Sequence, residues 1–267
     1  MLGLAVLAAA PATSSAAVIF QDDSGGLTYR AGLGEANHLT MDPFAGPIED
    51  VSTSSMFIAD SGATLTPLDD FCLPGPPLQC PTVAFTAFMG DRDDHGEAIP
   101  FFRDAEIWGQ GGDDDLQASG RDHARAFGGP GDDTMSIGAD GDAEGYGQSG
   151  ADTISAGTQS SLHLFGGDGP DDLSMVTSVF APSIMDGGAG RDTIAADGSA
   201  SLLDVFGGPG DDRISGHGAM HGGAGDDRID VSGGGGDTVA CGPGFDRVIA
   251  DAADSVGAGC ERVTIVS

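Results

Sequence analysis

The chain has 267 residues, with 42 acidic side chains against 10 basic ones and a formal charge of −32. That balance excludes a nucleic acid or an anionic membrane surface held by charge, and it favours cations as ligands. Its 46 glycines and 14 prolines would suit a disordered chain, but the glycine recurs at a fixed period, which points to a repeat.

Residues 2–10, LGLAVLAAA, form a short apolar run followed by PATSSAA, and Ser15-Ala16-Ala17 fits a small-x-small cleavage site. Residues 1–17 are therefore read as a secretory signal peptide, and the mature protein is expected outside the cell. Nine apolar residues cannot cross about 30 Å of hydrocarbon as a helix, so no membrane span is expected after its removal.

Residues 18–88 show no repeat. GLTYRAG (26–32), HLTM (38–41), SMFIAD (55–60) and TVAFTAFMG (82–90) read as short strands between turn-forming clusters. They are expected to make a small N-terminal β cap over the open end of the repeat region. Cys72 and Cys80 flank LPGPPLQ and are expected to staple that loop.

From residue 89 one phrase returns. MGDRDDH (89–95) is a worn copy of it. IWGQGGDDDL (107–116), AFGGPGDDTM (126–135), GYGQSGADTI (145–154), LFGGDGPDDL (164–173), MDGGAGRDTI (185–194), VFGGPGDDRI (205–214) and MHGGAGDDRI (220–229) are the clearer ones. The skeleton is Gly-Gly-x-Gly-x-Asp-x-apolar. Its aspartates, Asp94, Asp114, Asp133, Asp152, Asp171, Asp192, Asp212, Asp227 and Asp246, are separated by 20, 19, 19, 19, 21, 20, 15 and 19 residues. Such a step is one turn of a solenoid: a glycine loop, a strand and a return side. Parallel strands of successive turns lie about 4.8 Å apart, so equivalent aspartates stack. Residues 89–267 are thus read as an all-β, right-handed parallel β-roll or β-helix solenoid.

The residue types suit a hard cation. Gly109 and Gly112, Gly128, Gly129 and Gly131, Gly147 and Gly150, Gly166, Gly167 and Gly169 line the first loops. Gly187, Gly188 and Gly190, Gly207, Gly208 and Gly210, and Gly222, Gly223 and Gly225 line the later ones. Glycine lets the backbone curl with its carbonyls gathered into one space and puts no Cβ in the way. Calcium takes six to eight oxygens, which carbonyls and carboxylates of adjacent turns can provide. The apolar eighth residues, such as Leu116, Ile154 and Ile214, then point inward. Up to about eight ions are expected between the nine aspartates of the row. Gln110 and Gln148, each in place of a second glycine, and the 15-residue step before Asp227 are expected to weaken sites there. In SGGGGDTV (232–239), Asp237 falls ten residues after Asp227, on the opposite edge with Asp254.

The residue before each glycine pair is Trp108, Phe127, Tyr146, Phe165, Asp186, Phe206 or His221, which predicts an outward aromatic ladder. Stacked rings can simply stabilise neighbouring strands. They can also serve as a platform for sugar rings or a partner protein, so an extracellular polysaccharide or cell-envelope component is a candidate partner. Cys241 and Cys260 are 19 residues apart, one turn, and are expected to form a disulfide that closes the last turn. No HExxH, GxSxG, P-loop or dinucleotide fingerprint occurs, so no catalytic residue is assigned and the chain is read as a non-enzyme.

These repeats resemble the hemolysin-type calcium-binding family, the RTX β-roll, over about residues 89–248. GLTYRAGLGEANHLT and VACGPGFDRVIADAADSVGAGCERV also resemble the flanks of exported actinobacterial proteins of this type. The resemblance implies several calcium ions and folding driven by them. The chain departs from typical RTX toxins in its cysteines and N-terminal signal.

Overall fold

The computed structural model describes residues 18–21, 26–31, 38–42, 57–60, 63–64, 84–98, 102–176, 181–196 and 202–266. Among these there is no helix. The strands form two sheets, of 12 and 13 strands, whose members alternate along the chain, so each turn gives one strand to each sheet. The result is the expected right-handed parallel solenoid, of about nine turns.

One sheet stacks Ala84–Gly90, Asp104–Gln110, His123–Pro130, Asp142–Ser149, Leu162–Asp168, Ser183–Ala189, Leu203–Pro209 and Ala219–Ala224. Residues one repeat apart face each other, as Phe127 faces Trp108 on one side and Tyr146 on the other. The second sheet stacks His95–Ala98, Asp115–Gly120, Thr134–Ala139, Thr153–Thr158 and their successors through Arg262–Ile265. Each strand alternates buried and open residues, the period-2 signature of a sheet with one packed face.

The core is thin. Ile107, Leu164, Val205 and Met220 from one sheet meet Leu116, Ile154, Leu173 and Ile214 from the other, all at or near zero exposure. Volume is balanced locally. Gly145 takes an inward place where neighbouring turns carry Ile107 and Ala126 on one side and Leu164 on the other. A Cβ built there would lie 2.7 Å from Ile137 Cδ1 and 2.9 Å from Ile154 Cγ2. The missing side chain is the room that Ile137 fills.

The stack reaches further back than the repeat. Leu27–Arg30 pairs in parallel with Ala84–Gly90, and His38–Asp42 with His95–Ala98, so an extra turn precedes the first aspartate loop. Pairing of this kind needs only backbone groups and alternation, with no glycine loop. Val18–Gln21 adds to this end antiparallel, as do Phe57–Asp60 and Ala63–Thr64, and these form the small β cap. Cys72 and Cys80 lie outside the described residues.

At the other end Cys241 and Cys260 are bonded, their Cα atoms 5.3 Å apart.

Candidate metal centre

Each turn has two corners, and the glycine loops of the repeat fall on one of them, the loop before Asp237 excepted. There the aspartates Asp94, Asp114, Asp133, Asp152, Asp171, Asp192, Asp212, Asp227 and Asp246 form one row, each at most 4% exposed. One oxygen of each carboxylate is spent on the fold. The N–H of Asp114 donates to Asp133 Oδ1, that of Asp133 to Asp152 Oδ1, and that of Asp152 to Asp171 Oδ1, each at 2.9 Å. The ladder continues through Asp192, Asp212, Asp227 and Asp246. Its last rung is Glu261, whose Oε2 accepts the N–H of Asp246.

The second oxygen is different. Oδ2 of Asp114, Asp133, Asp152, Asp171, Asp192, Asp212, Asp227 and Asp246 is buried with no hydrogen-bond partner. In all of these but Asp246, whose loop carries Cys241 at that place, it faces the first glycine of its own loop. A Cβ built on Gly128 would lie 2.1 Å from Asp133 Oδ2, and one on Gly147 would lie 2.2 Å from Asp152 Oδ2 and 2.5 Å from the Gly166 carbonyl oxygen. Gly109, Gly166, Gly187, Gly207 and Gly222 repeat this cradle. The outer glycines are held as closely: a Cβ on Gly150 would meet the Gly131 carbonyl at 1.8 Å. Gly112, Gly169, Gly190, Gly210 and Gly225 are equally crowded by backbone of the preceding turn, as are Gly129, Gly167, Gly188, Gly208 and Gly223.

The electrostatics of the row follow from this burial. Loss of water pushes the Asp114, Asp133, Asp171 and Asp212 carboxyls up to about 7, and Asp227 to about 6, with neighbouring aspartates adding to the effect and the N–H bond opposing it. Asp152, Asp192 and Asp246 rise for the same first reason. A buried acceptor without a partner costs stability, and a buried charge costs more.

The donor set fits calcium. Each site offers one carboxylate oxygen without a partner, and at Gly109, Gly147, Gly166, Gly187, Gly207 and Gly222 a backbone carbonyl oxygen of the adjacent turn lies beside it, all hard oxygen donors. Among the described residues no three carboxylate, imidazole or thiol groups converge, so an ion held here would rely on backbone carbonyls.

The features expected to weaken the row leave its spacing intact. Gln110 and Gln148 take the same positive φ, 81°, in the place of the second glycine. The 15-residue step from Asp212 to Asp227 shortens the opposite corner, between Arg213–Gly216 and Ala219–Ala224, and keeps the 2.9 Å contact in the row.

Asp237 is on the opposite corner, as its spacing implied. Its Oδ1 accepts the N–H of Gly218, its Oδ2 contacts His217 Nδ1 at 3.1 Å, and its own N–H donates to Asp254. With His217 engaged, Asp237 has less to offer an ion than the row does.

The aromatic ladder is present. Trp108 and Phe127 stack at 3.8 Å between centroids, Phe127 and Tyr146 at 4.8 Å, and Tyr146 and Phe165 at 5.2 Å, with planes within 10°. Asp186 breaks it, and Phe206 with His221 resumes it. The ring faces are therefore turned to one another and the edges outward. Sugars stack on faces, so this geometry favours strand stabilisation over a glycan platform. Trp108 Nε1 and Tyr146 Oη donate to Glu106 and Glu144, which flank Arg125.

The fold and this corner define a parallel β-solenoid with a buried acidic row. No family model matches the chain, and no curated protein matches it.

Proposed function

We propose that the protein is an exported calcium-binding β-roll that folds as calcium enters the aspartate row and then serves as a structural or adhesive extracellular module. The observation that carries this reading is the set of buried Oδ2 atoms without partners, one per turn, those of Asp114 to Asp227 each against a glycine cradle. Asp114, Asp133, Asp152, Asp171, Asp192, Asp212, Asp227 and Asp246 would hold the ions with the glycine carbonyls. Bound calcium supplies positive charge that offsets the −32 of the chain and ties adjacent turns. The Cys241–Cys260 bond supports an oxidising, extracellular setting. In this reading the protein binds and does not catalyse.

A calcium titration of the metal-stripped chain, followed by far-UV circular dichroism and calorimetry, tests this. Cooperative gain of strand signal with several ions per chain is expected. A strand signal independent of calcium, or one weak ion, would overturn the reading.

A further inference from the structure

We propose that Arg213, Arg228, Arg247 and Arg262 form a binding strip for an extended acidic polysaccharide carrying one carboxylate per sugar. The four occupy the same place on four successive strands: Arg213 faces Arg228, Arg228 faces Arg247, and Arg247 faces Arg262. The earlier turns carry Asp115, Thr134, Thr153, Asp172 and Thr193 in that row. Four of the ten arginines of an otherwise acidic chain are thus gathered on one edge.

All four are exposed, and none forms an ion pair among the described residues. Of the exposed acids beside the strip, Asp211 and Asp226 have other partners. Asp211 accepts from Arg191 and from the N–H of Asp226, and Asp226 accepts the N–H of Phe245. Like charges directly opposite on neighbouring strands destabilise a sheet. A row of four therefore costs stability unless an anionic ligand offsets it.

The geometry selects the ligand. The four arginine positions recur at the strand spacing of about 4.8 Å along the roll. An extended polyuronate advances by close to that spacing per sugar and presents one carboxylate each time. Guanidinium binds carboxylate through two parallel N–H···O bonds. Beside the strip, Ile249 and Thr264 line a shallow groove with Arg228, Arg247 and Arg262, giving sugar rings an apolar and a hydroxyl contact. Duplex nucleic acid carries a charge every 1.7 Å or so and is repelled by the remaining acidic surface. The inference stands on strand register and does not rest on the calcium reading.

The test uses the full chain, its fold verified by circular dichroism in calcium-containing buffer, titrated with hexagalacturonate. Binding is expected that weakens with salt and falls by about tenfold or more in an Arg228→Gln/Arg247→Gln variant. Arg92→Gln/Arg121→Gln removes equal charge from exposed positions elsewhere and is expected to bind as the parent does, which separates the strip from calcium bridging. A neutral glucose hexamer is expected not to compete. Absence of binding, equal loss in both variants, equal affinity for the neutral hexamer, or equal affinity for single-stranded DNA would each overturn the proposal.

Discussion

The N–H of Asp212 donates to Asp227 Oδ1 at 2.9 Å across 15 residues, the same contact that Asp133 makes with Asp152 across 19. The row is therefore indifferent to turn length. What a turn gains or loses is absorbed at the opposite corner, where strands end and the aspartate ladder does not run. This separation lets the glycine corner repeat with fixed spacing while the return side varies.

The first prediction rests on the two oxygens of each carboxylate. Asp152→Asn keeps an oxygen for the N–H of Asp133 but removes the charge from the glycine cradle. Calorimetry should count fewer ions, and the calcium concentration at the folding midpoint should rise by about tenfold. Asp132→Asn, at an exposed position whose Oδ1 accepts the N–H of Ala151, should change neither. Equal effects of the two substitutions would place the ions elsewhere.

A second prediction concerns protons. Burial raises Asp114, Asp133, Asp171 and Asp212 from 3.8 to about 7 in the metal-free fold, so each keeps a proton that the unfolded chain has already released. The stability these groups give is complete below their unfolded value and is lost as pH rises toward the folded one. Metal-free protein should hold its strand signal near pH 4 and lose it by about pH 7.5, where calcium restores it. A metal-free chain that melts no lower at the higher pH would contradict the buried row.

Much of this was legible in the sequence because a period needs no three-dimensional information. Equivalent aspartates one turn apart had to stack, and so did Trp108, Phe127 and Tyr146. Glu261 was less legible: it comes 15 residues after Asp246, replaces aspartate by glutamate, and lacks the glycine pair. The arginine row was present as DRI, DRI, DRV and ERV at 212–214, 227–229, 246–248 and 261–263, a signal carried by the position next to the aspartate. Leu27–Arg30 and His38–Asp42 joined the roll without any motif, since backbone pairing leaves none. Whether an aromatic stripe shows faces or edges depends on side-chain rotation, which spacing does not encode.

Gln110 and Gln148 supply a third prediction. Both are non-glycine residues at φ 81°, a left-handed conformation that glycine adopts without the Cβ penalty. Gln110→Gly and Gln148→Gly should each stabilise the folded chain by about 1 kcal/mol, less the entropy that glycine adds to the unfolded state. Calcium-saturated thermal melting measures this. A lower melting temperature for both variants would show that the glutamine side chains stabilise their loops through contacts.

The disulfide supplies a fourth. Arg262–Ile265 is exposed along its whole length and pairs on one side only, with Arg247–Ala250. Little apolar burial holds it, so the Cys241–Cys260 bond should account for much of its retention. A Cys241→Ser/Cys260→Ser variant should lose about 3 kcal/mol, by the entropy of closing a loop of this size. Amide exchange should quicken first at residues 262–265 and leave the strands around Asp152 protected. Uniform quickening along the roll would mean that the bond secures the whole stack rather than its last turn.

Gly145 gives the most local prediction. Its empty inward place is occupied by Ile137, whose Cδ1 would lie 2.7 Å from any added Cβ. Gly145→Ala should therefore cost about 1–3 kcal/mol through overpacking, although alanine suits a strand at least as well as glycine. Shortening Ile137 should relieve the closest part of the conflict, with Ile154 Cγ2 at 2.9 Å remaining. Ile137→Val alone loses a methylene and should cost about 1 kcal/mol. The double variant should be more stable than the sum of the two losses implies, by about 1 kcal/mol or more in a double-mutant cycle. Strict additivity of the two losses would show that glycine at this position answers to something other than the bulk of Ile137, such as the Ile154 contact.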